Sequence, residues 1–205
     1  NYVDGAATYQ FQGGDAIYED INKDGQINAL DIVYLGNSNP KVNGGFNVTL
    51  NYGRWNLKAR FMYRFGNKVV NAARQNLESM STANNQCSTV NWRWRKDGDV
   101  TTIPRAIYVY DSNSAYNYQG SDRFVEDGSF VRFQNLQIGY NFDKKVIKNW
   151  GLNDLKFYVT MNNLFCWTRY SGVDPEVGTG GWGIATDNSQ TPRAKSFTAN
   201  INIGF

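Results

Sequence analysis

The chain has 205 residues, with 21 Lys and Arg against 18 Asp and Glu and no histidine. A net charge of +3 gives no polyanion signal, and no basic tract or recognition helix points to nucleic acid. Without histidine the chain cannot hold a Ser-His-Asp triad, a histidine-bound zinc or a histidine-bound haem, and it shows no P-loop or Rossmann glycine pattern.

In chain order, Tyr9 to Gly13 is the first strand-like stretch, and the weakest. Next comes the sharpest local motif. Asp20, Asn22, Asp24, Gln26, Asn28 and Asp31 occupy the ligand positions of a twelve-residue calcium-type loop, with Gly25 at the tight turn. Gln26 would coordinate through its backbone carbonyl and Asn28 through water. Asp, Asn and Gly also favour metal-free turns held by Asx hydrogen bonds, so two readings stand. The expectation is a structural Ca2+ that fixes this loop before the following strand. The flanks carry no amphipathic helix pair of the kind a calcium switch opens.

Strands follow, written by period-two alternation. Residues 46–52 set Phe46, Val48, Leu50 and Tyr52 against Asn47, Thr49 and Asn51. A glycine-first turn at Gly53-Arg54 suits a tight hairpin. Residues 55–65 then set Trp55, Leu57, Ala59, Phe61, Tyr63 and Phe65 against Asn56, Lys58, Arg60 and Arg64, with Met62 out of pattern. Lys58, Arg60 and Arg64 thereby share a polar face.

A long connection, 66–128, contains Cys87 and the run Trp92-Arg93-Trp94-Arg95-Lys96. Trp92 and Trp94, with Trp182 further on, either pack within loops or offer indole faces to sugar rings or lipopolysaccharide phosphates. Residues 129–142 end in a clean alternation, Leu136, Ile138, Tyr140 and Phe142 against Asn135, Gln137, Gly139 and Asn141. The turn at 143–153 has room for one helical turn closed by Gly151. Residues 155–165 alternate less cleanly, broken by Tyr158, Asn163 and Leu164. After a second long connection, 166–195, the chain ends on a faultless strand, with Phe197, Ala199, Ile201, Ile203 and Phe205 opposite Thr198, Asn200, Asn202 and Gly204.

A soluble antiparallel sandwich has the same period. Three details favour a membrane barrel. The strands run to roughly ten residues, near the ~9–11 that cross a bilayer at a tilt. Aromatic residues gather towards strand ends, as in interfacial girdles. Short and long connections also alternate, every short one on the side of Phe205. A mean hydropathy of −0.55 leaves no room for a spanning helix but is no objection to barrel strands, whose apolar residues occupy every second position.

The expected fold is therefore all-β: an antiparallel transmembrane β-barrel segment with long extracellular loops and a periplasmic C-terminus. Residues 1–42 form an extracellular loop region holding the calcium-type loop 20–31. Residues 43–205 supply barrel strands, with long extracellular loops 66–128 and 166–195. Five or six strands cannot close a barrel, since the smallest have about eight. The missing wall is expected from an upstream part of the same polypeptide or from another chain. Cys87 and Cys166 lie in or beside extracellular loops, where either a disulfide or two free thiols is compatible with the sequence. Glu126-Asp127 and Asp174 with Glu176 are carboxylate pairs of a kind glycosidases use, but neighbouring acids are common in loops and no enzyme activity is expected.

Five stretches, taken together and in order, resemble one family. They are Gly14 to Gly36 (GDAIYEDINKDGQINALDIVYLG), Asn37 to Phe46 (NSNPKVNGGF), Ser121 to Phe142 (SDRFVEDGSFVRFQNLQIGYNF), Asn162 to Val177 (NNLFCWTRYSGVDPEV) and the ending Thr191 to Phe205. They resemble the SusC/RagA-like TonB-dependent transporters of the Bacteroidota outer membrane. The resemblance implies the last five or six strands of a plugged barrel of about 22, embedded in outer-membrane lipid and importing oligosaccharides or peptides. It further implies a SusD-like surface lipoprotein as lid over loops 66–128 and 166–195, and TonB acting through a plug that this sequence does not contain. Lys58, Arg60 and Arg64 would then face the lumen. A secreted, calcium-stabilised carbohydrate-binding β-sandwich is the alternative from another class.

Overall fold

A computed structural model describes residues 1–4, 7–107, 116–179 and 183–205. In chain order its strands are β1 (Tyr2–Asp4), β2 (Ala7–Tyr9), β3 (Val42–Tyr52), β4 (Trp55–Phe65), β5 (Lys68–Val70), β6 (Val125–Asp127), β7 (Phe130–Asn141), β8 (Asp154–Thr168) and β9 (Ser196–Gly204). Two short α-helices, α1 (Ala72–Glu78) and α2 (Lys144–Ile147), lie in the connections. Contacts divide the chain into two units: Asn1–Gly36 with Val70–Glu126 and Thr186–Ser189, and Asn37–Val69 with Asp127–Ala185 and Gln190–Phe205.

The second unit is built on a five-stranded antiparallel meander in the order β3-β4-β7-β8-β9. Its register turns the sequence alternation into rows that cross the sheet. Val48, Ala59, Leu136, Met161 and Phe197 are in line, as are Leu50, Leu57, Ile138, Val159 and Ala199. Aromatic rows flank these aliphatic ones. On one side lie Tyr52, Trp55, Tyr140 and Phe157 in register, and on the other Phe46, Phe61, Phe133 and Phe165. Phe61 stacks on Phe46 and Phe133 with ring centroids 4.8 and 4.5 Å away.

This apolar face is open. Phe197 and Ile201 are 68% and 63% exposed, so among the described residues no second sheet buries them as a sandwich requires. From Leu155 to Trp167 the face runs about 40 Å along β8 at ~3.3 Å per residue, or ~30 Å of height at a tilt of ~40°, enough for the ~25 Å apolar band of an outer-membrane barrel. Among the described residues no helix is long and apolar enough to cross a membrane. The architecture is that of a barrel segment: all-β, antiparallel and unclosed.

Three apparent faults in the alternation have structural causes. Opposite Phe133 and Asn135 the register shifts, with one extra residue on β7 and two on β8, where Asn163 takes φ 53°. The bulge returns Phe165 and Trp167 to the apolar face despite the break at Asn163 and Leu164. Tyr158 belongs to the polar face and lies over Gly139, where a Cβ would come within 2.6 Å of its ring. Met62 also sits on the polar face, in register with Gly45 and Arg132.

The short connections share one end of the sheet. Gly53 turns the β3–β4 hairpin at φ 59°, and Arg54 pairs with Asp143 beside it. Asp143 caps α2 by accepting from Lys145 N at 2.9 Å, and Gly151 closes the following 3-10 turn in the left-handed region. Buried Ile147 anchors this turn. At the other end, β7 follows 66–129 and β9 follows 169–195.

In the first unit, β1 and β2 form a separate hairpin. The expectation of a further sheet strand over Tyr9 to Gly13 is corrected: strand structure stops at Tyr9, and Asp15 instead folds the next residues back by accepting Gln12 N at 2.8 Å. Met80, Ile103, Tyr118 and Phe124 form the buried cluster of this unit. The described residues of 70–107 and 116–126 are thus largely folded instead of forming a plain loop.

Placing arginine at Leu57 or Ile138, midway across the apolar face, should destabilise the membrane-embedded protein by about 2–4 kcal/mol, while arginine at Gln137 on the opposite face should cost little. Denaturant titration in lipid bilayers checks this, and equal effects at the three positions would contradict the assigned faces.

Candidate functional site

The polar face of the sheet is a ladder of amides and hydroxyls. Asn47, Arg60, Asn135, Asn162 and Ser196 form one row, and Thr49, Lys58, Gln137, Thr160 and Thr198 the next. Asn135 Nδ2 donates to Asn162 Oδ1 at 2.8 Å, and Asn162 Nδ2 to Ser196 Oγ at 3.0 Å. These cross-strand bonds hold the side chains along the wall. Lys58 and Arg60 are exposed on this face. Arg64 is half-buried, donating to the Val177 carbonyl at 3.3 Å and lying over the Phe130 ring.

The 20–31 loop is curled by its own side chains. Asp20 accepts Asp24 N at 3.2 Å and Gly25 N at 2.8 Å, and Asp24 accepts Gln26 N at 2.8 Å. Gly25 takes φ 80°, which a side chain would resist. Asn28 and Asp31 form a reciprocal capping box around the 3-10 turn Ala29–Asp31, and Asp31 also accepts Ile21 N at 2.8 Å. The backbone N–H of Asn28, reinforced by that of Ile21, holds the Asp31 carboxyl below its ordinary value against a smaller upward push from burial.

Asp20, Asn22, Asp24, Gln26, Asn28 and Asp31 therefore share one curled loop. Among the described residues no three acidic or thiol side chains already converge on a metal position. The donor set nevertheless fits calcium chemically: all the ligating atoms are oxygens, and each ionised carboxylate has about four lone-pair sites. Asn22 Nδ2 now donates to Asp24 Oδ2 at 2.9 Å, a bond that coordination would replace.

The principal polar centre of the first unit gave no sequence signal. Asp15, its side chain 1% exposed, lies 2.6 Å from Arg105 Nε. It also accepts Tyr9 Oη at 2.9 Å and Asn117 Nδ2 at 3.0 Å. Burial pushes its pKa up, but the Arg105 guanidinium, Gln12 N–H and Asn117 amide together hold it below the usual value. A second centre joins Glu78 to Arg74 at 2.9 Å and to Arg123 at 2.7 Å, with both guanidinium groups over the Phe124 ring.

Trp94 packs over the backbone of Gly14, where a Cβ would come within 2.2 Å of the indole. Trp92 is exposed, and Trp182 lies outside the described residues. Cys87 and Cys166 are free thiols. Of the carboxylate pairs, Glu126 joins Arg74, Asp127 accepts Ser129 Oγ at 2.6 Å, and Asp174 and Glu176 engage Arg132. Each is committed to a structural partner.

No family model matches the chain. Among curated relatives, TonB-dependent receptor P3 of Formosa agariphila is 28% identical over the whole chain, which covers 20% of that protein. TonB-dependent receptor SusC of Bacteroides thetaiotaomicron is 33% identical over 42% of the chain and 8% of its own length. A solved structure of the RagAB peptide transporter superposes with TM-score 0.69 at 24% identity, over 83% of this chain and 18% of that one. The RagAB importer in its closed-closed state gives TM-score 0.68 at 23% identity, over 84% of this chain and 18% of that one. The chain spans about a fifth of the length of its first curated relatives. These likenesses bear out the resemblance to SusC/RagA-like TonB-dependent transporters.

Arg105→Ala should destabilise the first unit by about 3 kcal/mol, because Asp15 would keep its burial and lose its cation. Since the folded Asp15 pKa is depressed, its contribution should be complete above an unfolded value of about 3.9 and drain away as pH falls through the lower folded value. Amide exchange of residues 9–16 across that range measures both effects. Unchanged protection in Arg105→Ala would contradict the first.

Proposed function

We propose that this chain forms the C-terminal wall of a TonB-dependent, SusC-like outer-membrane importer of oligosaccharides or peptides. The carrying observation is the five-stranded sheet whose apolar face exposes large side chains across its width, Phe46, Leu50, Trp55, Phe165, Phe197 and Ile201 among them, together with the sequence likeness to TonB-dependent receptors. A structure exposing such a face to water would aggregate. Against lipid the same face is the stable arrangement.

Orientation follows from connection length. Short turns of bacterial barrels face the periplasm, which puts Gly53-Arg54, residues 142–153 and Phe205 on that side and the long connections outside. The remainder of the wall and a plug come from the rest of the polypeptide, and TonB acts through that plug. A SusD-like lipoprotein is the proposed outer partner, in keeping with the likeness to SusC and to the RagAB complex. Lys58 and Arg60 would then face the lumen, where plug carboxylates or anionic cargo meet them. The ladder of amides and hydroxyls suits both sugar hydroxyls and peptide groups, so the wall chemistry favours neither cargo.

In this setting the 20–31 loop holds calcium through Asp20, Asn22, Asp24, the Gln26 carbonyl, Asp31 and a water on Asn28. Supporting this are the ligand spacing and the curl around Gly25. Its role is structural: the ion neutralises the three carboxylates of the loop and fixes the curl.

The intact polypeptide should fractionate with outer membranes, require detergent for extraction and migrate faster unheated than boiled. Release by alkaline carbonate would sink the importer reading. Calcium at a hundredfold excess over its Kd should stabilise the unit holding the loop by about 2.7 kcal/mol, and the double substitution Asp20→Asn with Asp24→Asn should abolish that gain. Thermal melts that ignore calcium in the unsubstituted protein would remove the metal from the account.

A further inference from the structure

Most of the polar face is open, but the positions nearest the long connections are covered. By register Arg132 of β7 faces Cys166, and Arg64 of β4 faces Phe130, on this same side. The Arg132 side chain is 6% exposed and Phe130 is 1% exposed. A buried arginine and a buried phenylalanine on a hydrophilic wall need a cover. Asp174, Glu176 and Val177 of the β8–β9 connection supply it.

Arg132 Nη2 donates to Asp174 Oδ1 at 2.5 Å, and its Nε lies 3.4 Å from Glu176 Oε2. Glu176 also pairs with Arg193. Asp174 accepts the backbone N–H groups of Glu176 at 3.0 Å and Arg193 at 3.4 Å, so one carboxylate ties both arms of the connection to the wall. Arg64 adds its bond to the Val177 carbonyl. Both guanidinium groups lie 5.6 Å from the Phe130 centroid, within cation-π range. Tyr170, Val177 and Ala185 close a buried apolar cluster with Val69, and Ala185 N donates to Ser38 Oγ at 3.0 Å.

We infer that the 170–177 arm of the β8–β9 connection is a constriction folded into the barrel and latched to its inner wall by Arg132, with Arg64 as a second tie. The inference rests on the barrel reading above, because only in a barrel is this face a lumen. The connection narrows the passage at the end remote from Phe205, beside half-buried Cys166, the register partner of Arg132. A partner protein outside would meet its outer surface, while the inner surface lines the path of cargo.

Cys166 is a native reporter. In the membrane-embedded full-length importer, a charged, impermeant maleimide added from outside should alkylate Cys166 slowly, with Cys87 as reference by site-resolved mass spectrometry. Arg132→Met leaves Asp174 and Glu176 without their buried cation and should raise the Cys166 rate at least about tenfold relative to Cys87 as the connection opens. Arg132→Lys, which keeps the charge but not the fork, should give a smaller rise. Equal rates in all three proteins overturn the latch.

Should Arg132→Met fail to insert, a nitroxide pair at Val173→Cys and Thr198→Cys, with both native cysteines replaced by serine, reads the same geometry with Arg132 intact. A single narrow distance distribution is expected, and a broad one overturns the inference. Heat-modifiable migration of each protein reports the barrel separately. Loss of it in the unsubstituted importer defeats the barrel reading, whereas its retention with unchanged Cys166 reactivity defeats the latch alone.

Discussion

The whole arrangement rests on one constraint: backbone N–H and C=O groups in hydrocarbon must pair with one another, because no water is there to satisfy them. A meander meets that demand between neighbouring strands and leaves two edges. Here those edges belong to β3 and β9. Neither has a strand partner beyond it among the described residues, so the sheet is a wall that further strands must continue. Side-chain period and backbone pairing then act together. Once the ladder fixes register, every second residue faces lipid, and a shift by one would turn the Asn and Thr rows into hydrocarbon.

The fold was legible because period two is a local signal that survives without knowledge of partners. The span 55–65 matched β4 at both ends, and the final strand was one residue too long. The less regular stretches were legible only in part. A sequence cannot show that Tyr158 needs the space above Gly139, nor that a bulge opposite Gln134 restores Phe165 to the lipid side. Both depend on a neighbouring strand, and only the break at Asn163 and Leu164 marks a register irregularity, since Tyr158 keeps the period on the polar face.

Site residues divide along the same line. The curl at 20–31 could be read because its donors lie within twelve consecutive positions and each makes contacts inside the loop. Asp15 with Arg105 and Arg132 with Asp174 could not, since their partners are 90 and 42 residues away. No spacing rule connects an acid to a base across two loops. The tryptophans show the converse: an aromatic and basic run invites a binding role, yet Trp94 is occupied by the Gly14 backbone.

Charge placement separates wall from loops. Along β4, β7 and β9 the polar face carries cations, amides and hydroxyls but no carboxylate, and Asp154 at the short-turn end of β8 is paired with Lys156 at 2.9 Å. The buried acids Asp15 and Glu78, and the half-buried Glu126, Asp174 and Glu176, lie instead in the connections or the short ribbon strand β6, each facing an arginine. Ion pairs of this kind hold irregular backbone where no continuous ladder can, because losing either partner strands a charge away from water. The strands therefore need no acid to stay together, and the connections keep their shape without regular structure. In the proposed importer, Lys58 and Arg60, both exposed on the polar face, would meet whatever passes along the lumen instead of tying the wall to a connection.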